Sequence, residues 1–149
     1  MTVRACASFE AEFPPDPEFD RPEGCYLARR LAEQLHSVAS EVGPFDNWRD
    51  CGWSVPCGLN NASLWVFFAR YSGQRHWELV VEPRGPPGPL AGLLGRRPTQ
   101  YIDSLKILSD EVDRALKQEP GVTNIRWALN SRPKPEGPSR PDLLTWPSR

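Results

Sequence analysis

Hydrophobic and polar positions alternate along residues 4–13, with Ala5, Ala7, Phe9, Ala11 and Phe13 on one side and Cys6, Ser8, Glu10 and Glu12 on the other. A period of two predicts a half-buried strand. Pro14, Pro15 and Pro17 stop it, because proline donates nothing to a ladder. The period then lengthens. Leu27, Leu31, Leu35, Val38 and Val42 form one stripe, with Tyr26 and Ala39 beside it and Arg29, Arg30, Glu33, Gln34 and Glu41 opposite. That spacing predicts a helix over about 22–42. Asp20 or Glu23 would serve its N-terminal dipole, and Gly43-Pro44 would close it.

The stretch 48–83 organises the rest. It holds three short apolar runs and four of the six tryptophans, and it predicts a three-stranded antiparallel meander. In the first run, 48–57, Cys51, Trp53, Val55 and Cys57 oppose Asp50, Gly52, Ser54 and Pro56, with Pro56 expected near the strand's end or at a bulge. Asn60-Asn61 suits a tight connection. The second run, 64–71, is apolar on both faces, Leu64, Val66 and Phe68 against Trp65, Phe67, Ala69 and Tyr71, so both faces should be covered. The third, 76–82, alternates again, with Trp77, Leu79 and Val81 inside and His76, Glu78 and Glu82 outside.

Residues 83–98 form a long Pro/Gly loop, of a length that is often functional or disordered. A second helix follows over about 99–118, carried by Ile102, Leu105, Leu108, Val112, Ala115 and Leu116. Thr99 is its expected N-cap, and Glu119-Pro120-Gly121 its end. A last strand, 122–130, precedes a polar, Pro-rich tail. The order β-α-β-β-β-α-β predicts an α+β or α/β two-layer sandwich. One mixed, mostly antiparallel sheet of about five strands would carry two helices on one face. The domain is expected over 1–130 and the tail over 131–149.

Composition narrows the function classes. A chain of 149 residues is one ordinary domain, long enough to bury a core without a metal or disulfides. Seventeen prolines, roughly twice the usual share, cluster in the loops and tail and leave the patterned segments almost clear. A net charge of −1 lacks the basic footprint of a phosphate-binding protein, so no nucleic-acid partner is expected. No apolar run reaches the eighteen residues or so of a membrane span, and the N-terminal stretch has no signal-peptide h-region. Four cysteines are then read as reduced thiols of a cytoplasmic protein.

Candidate chemistry is sparse. No CxxC, HxxxH or HExxH occurs among Cys6, Cys25, Cys51, Cys57, His36 and His76, so no metal site and no cofactor is expected. Cys51 or Cys57 with His76 would be a nucleophile–base pair on neighbouring strands, but cysteine on an apolar face behaves as a small hydrophobe. Glu10 and Glu12, and Glu78 and Glu82, share faces and could act as acid and base; a solvated sheet face explains them as well. The loop 83–98 has no phosphate-binding glycine pattern, although Arg96-Arg97 stands before a helix N-terminus.

What remains is the second apolar set of 64–71. Facing away from the helices, Trp65, Phe67 and Tyr71 would form an aromatic ridge rimmed by Glu10, Glu12, Glu78 and Glu82. Aromatics inside a polar rim mark a protein-binding surface. The competing cover is the tail's own Leu143, Leu144 and Trp146. The expected function is a non-enzymatic protein-binding module, an adaptor or an immunity-type inhibitor that covers a partner's active site. A homodimer is compatible with such a face. The alternatives are a small enzyme using Cys or Glu side chains at the sheet rim, or a small-molecule-binding domain under the 83–98 loop.

Overall fold

A computed structural model describes residues 3–13, 23–49, 51–71, 75–84 and 98–147, without the side chains of 98–100. The prolines of 14–22, residues 72–74 and residues 85–97, Arg96-Arg97 included, lie outside the described residues. The elements are β1 (Ala5–Glu10), α1 (Cys25–Leu35), β2 (Glu41–Val42), β3 (Asp46–Trp48), β4 (Gly52–Leu59), β5 (Ala62–Arg70), β6 (His76–Pro83), α2 (Pro98–Gln118), β7 (Thr123–Leu129) and a 3-10 turn at Pro141–Leu143.

The fold is α+β, with two helices and one open sheet of seven strands in the order β2-β4-β5-β6-β1-β7, β3 joining β4. Every pairing is antiparallel. The chain returns from α2 to place β7 parallel to β6, but β1 is inserted between them, so no parallel ladder forms. This central position changes β1. Its outward side chains Cys6 and Ser8 are each only 7% exposed, where the alternation alone predicts a solvated face.

The alternating pattern places the core. Ala5, Ala7 and Phe9, Trp53, Val55 and Cys57, Leu64, Val66 and Phe68, Trp77, Leu79 and Val81, and Ile125 and Trp127 all turn inward. They meet Leu27, Leu31 and Leu35 of α1 and Leu105, Leu108, Val112 and Leu116 of α2. Burying each large apolar side chain stabilises by about 1.5–3 kcal/mol. Buried charges in the helix layer are paired. Arg30 Nε donates to Glu119 Oε1 at 2.9 Å, joining α1 to α2. Trp127 Nε1 donates to Asp113 Oδ1 at 2.9 Å, joining the sheet to α2.

The first helix is shorter than its stripe. It ends at Leu35 with His36 as C-cap, and the chain from Ser40 onward pairs with β4 instead. Ser37 Oγ donates to the Gln34 carbonyl, and Ser40 donates to the Gly58 carbonyl through both its N–H and its Oγ. Serine hydroxyls that bond nearby or facing backbone compete with helix. Val38, Ala39 and Val42 still pack on the core, so their apolar spacing serves a turn and a strand.

β2 therefore arises inside the expected helix, and β3 follows the glycine-proline stop, taking Trp48 from the strand expected over 48–57, which begins only at Gly52. The break between β2 and β3 lies opposite Pro56, in the middle of β4. Gly43 N–H donates to the Pro56 carbonyl at 2.9 Å, and a Cβ on Gly43 would meet Pro56 Cγ at 2.8 Å. A proline inside a strand is tolerated where its neighbour is bulged.

Candidate binding surface on the open sheet face

Among the described residues, one side of the sheet carries no helix. Register places its side chains in rows. Ser54, Phe67, Val80, Cys6 and Ala128 are neighbours across β4, β5, β6, β1 and β7. Pro56, Trp65 and Glu82 form a second row, and Gly52, Ala69, Glu78, Ser8 and Arg126 a third.

The open face of β4 carries only Gly52, Ser54, Pro56 and Gly58, all small, between bulky neighbours. From β3, Trp48 reaches across β4 and stacks on Phe67 of β5, with ring centroids 4.7 Å apart and planes 28° from parallel. Trp65 tilts against Phe67 at 5.1 Å, and its Nε1 donates to Glu82 Oε1 at 3.1 Å, which fixes the indole. A trench of about 1170 Å³ results, floored by β4, walled by the edge segment 40–49 and by Trp65, and reaching Ser63 and Arg84. Ser54 on its floor is 9% exposed, and its hydroxyl has no hydrogen-bond partner among the described residues. Arg49 lies over the Trp48 ring, its guanidinium carbon 5.2 Å from the centroid. Arg84 is exposed and held by its own N–H to the Ser63 carbonyl.

The seven residues singled out from sequence divide between this trench and other places. Of the seven only Trp65 lines the trench; Phe67 packs against it and Glu82 bonds it from outside the lining. Tyr71 does not join Trp65 and Phe67; it stacks on His76 at 5.4 Å, and its hydroxyl donates to Glu78 Oε2 at 2.9 Å. Arg132 of the tail covers this second cluster, with its guanidinium carbon 5.1 Å from the Tyr71 centroid and its Nε 2.6 Å from Glu78 Oε1. The last is a charge contact without hydrogen-bond angles, since Glu78 Oε1 has no hydrogen-bond donor. Glu10 accepts from Asn124 Nδ2 at 2.9 Å, and Glu12 lies 3.6 Å from Arg75. Four carboxylates expected as a negative rim are thus each engaged by a neighbour in the same chain.

Trp48, Ser54, Arg49 and Arg84 were not reached from sequence. Trp48 was read as the start of a strand over 48–57, whereas it ends β3 and pairs with Gly52 of β4. The run of small side chains at 52, 54, 56 and 58 was visible, and it is the signal that marks a trench.

Other chemistry does not assemble. Cys57 is buried on the helix side of β4, and burial pushes its thiol up to about 12. His76 stands on the opposite face, so the two cannot meet. Cys51 is exposed, its Sγ turned to the Trp48 carbonyl, and β5 separates it from β6. Burial, opposed by Arg4 and reinforced by Glu78 and Glu82, raises Cys6 as well. All four cysteines are free. Among the described residues no group of three His, Cys, Asp or Glu side chains could hold a metal ion, and no helix is long and apolar enough to cross a membrane. Protein-family models give no match to the chain, and curated protein sequences include no relative at a significant level.

Proposed function

We propose that the chain is a non-enzymatic protein-binding module that takes a partner in the trench on its open sheet face. The observation that carries this reading is the trench itself: Trp48 and Trp65, each only partly buried, stand at a trench whose floor holds Ser54, with its hydroxyl unpartnered among the described residues. Tryptophans that keep accessible surface beside a polar rim are the residues that dominate binding energy at protein interfaces. The engaged carboxylates and the separated Cys57 and His76 favour binding over catalysis. An adaptor and an inhibitor of another protein are the two roles such a surface suits.

The exposed Cys51 thiol lies at the Trp48 end of the trench and offers a handle. A photo-cross-linker attached there should capture one protein from the native cell extract. Capture should fall at least tenfold in Trp65→Ala and Trp48→Ala and stay unchanged in Tyr71→Ala, with folding of each variant checked by circular dichroism. Equal capture by all four chains would remove the trench from the reading.

A further inference from the structure

Apart from the trench, we propose that Tyr71 and Glu78 form a second site, which takes an arginine side chain of a partner protein, and that Arg132 of the tail occupies this site in the free chain. None of the three residues lines the trench, so the site stands or falls independently of it. Its parts are held in place without the tail. Tyr71 N–H donates to the His76 carbonyl at 3.0 Å, and the two rings stack with planes 13° from parallel. The Tyr71 hydroxyl donates to Glu78 Oε2 at 2.9 Å. An aromatic face and a carboxylate are thereby fixed side by side.

The other carboxylate oxygen, Glu78 Oε1, is buried and accepts no hydrogen bond. Buried acceptors are nearly always bonded, so this one marks a place for a donor. His76 Nε2 stands 3.7 Å away, too far to donate. Arg126, in the same row of the sheet, turns its donors to the Pro135 and Ile125 carbonyls. Arg132 shows which donor the site takes. Its guanidinium lies over the Tyr71 ring with its Nε against Glu78 Oε1, yet it makes no hydrogen bond among the described residues. Its side chain is 65% exposed, and ion pairs that exposed hold weakly. Arg132 is therefore a misaligned occupant that a better-placed group can displace. A guanidinium lies flat on an aromatic ring while its planar fork meets a carboxylate; an ammonium has no flat face to stack. Glu10, opposite His76 in register, adds negative charge that favours a cationic ligand. Because Arg132 must leave first, the tail lowers the apparent affinity of the site.

The test titrates the full ¹⁵N-labelled chain with N-acetyl-arginine methylamide, and with its lysine and citrulline counterparts, read by NMR chemical shifts. The arginine compound should shift the Tyr71, His76 and Glu78 amide signals saturably. Arg132→Ala should tighten that binding at least threefold, roughly the share an exposed intramolecular ion pair can withhold. The lysine compound should bind several-fold more weakly, and the uncharged citrulline compound should not bind. Glu78→Gln in the Arg132→Ala chain should abolish the shifts; should that variant not fold, the Arg132→Ala comparison decides alone. Unchanged affinity in Arg132→Ala overturns the pseudo-ligand role of the tail. Absence of saturable shifts in that variant overturns the site itself, as do shifts confined to other parts of the chain. Equal binding of lysine or citrulline overturns the guanidinium assignment. Each of these failures leaves the trench reading standing.

Discussion

A Cβ on Gly52 would drive into the Phe68 carbonyl oxygen, so this one position lets β4 lie close enough to β5 for Trp48 to cross it. Gly24 is constrained differently. It begins α1 at φ 103, a left-handed conformation that glycine adopts without steric cost, and a Cβ there would sit 3.0 Å from both Phe68 and Trp77. Neither constraint can be read from a single sequence, because both depend on what packs alongside. The cysteines can be ranked at the same scale. Cys51 is exposed, whereas Cys6, Cys25 and Cys57 are buried, and thiolate formation at Cys57 is opposed by burial up to a pKa of about 12. Since the thiolate is the reacting species, alkylation of the native protein near pH 8 should modify one thiol quickly, at Cys51. Cys57 should resist even near pH 10 and react only after unfolding, as peptide mass mapping would show. Rapid native labelling of Cys57 would contradict the burial that places it in the core.

Elements show where sequence reading works. The strands β1, β4, β5, β6 and β7 and the helix α2 all carry a sustained period, and each was legible to within a few residues. The end of α1 was not, because Val38, Ala39 and Val42 keep helical spacing while Ser37 and Ser40 divert the backbone to β4. Tertiary pairing overrode a local pattern there; Trp48, read as part of one strand over 48–57, belongs instead to β3 and pairs with Gly52 of β4. The contact of α2 with the Pro141–Leu143 turn adds an electrostatic prediction. Burial, then Asp142 and Asp113, raise the Asp110 carboxyl above its ordinary value. A raised carboxyl costs stability wherever it is ionised in the fold, above its unfolded value, and the cost disappears as pH falls through the folded pKa. Asp110→Asn should therefore raise the melting temperature at neutral pH. The gain should shrink as pH drops through the carboxylate range; a gain independent of pH would point to helix propensity instead.

At the scale of the molecule, the two sheet edges are treated unlike each other, and the tail is the reason. The apolar residues at 143–146 were legible as a cover for something; what they cover was not, because a tail's path has no periodic signal. The chain leaves β7, lays Arg132 over Tyr71 and Glu78, and then turns back along the β7 edge. There Trp127 N–H donates to the Pro138 carbonyl at 2.8 Å and Arg126 Nε to the Pro135 carbonyl at 2.9 Å. Beyond, Pro141 is buried, and Leu144 and Trp146 pack against the core, with Trp146 Nε1 donating to the Pro141 carbonyl at 2.9 Å. The tail therefore covers the β7 edge and the Tyr71 cluster, and it leaves the Trp48–Trp65 trench open. Unpaired strand edges template association, so removing 131–149 should have two effects. Losing the partial burial of three apolar side chains, of order 1 kcal/mol each, should lower the melting temperature by roughly 5–10 °C for a domain of this size. The bared β7 edge should make the truncated chain self-associate and bind hydrophobic dyes. Capture through the trench should persist in whatever fraction stays folded and monomeric, because no described tail residue lines the trench. Differential scanning calorimetry, light scattering and cross-linker capture through Cys51 on the truncated chain separate these effects. An unchanged melting temperature would show that the tail's packing contributes nothing, and lost capture by a folded monomer would show that the tail belongs to the site.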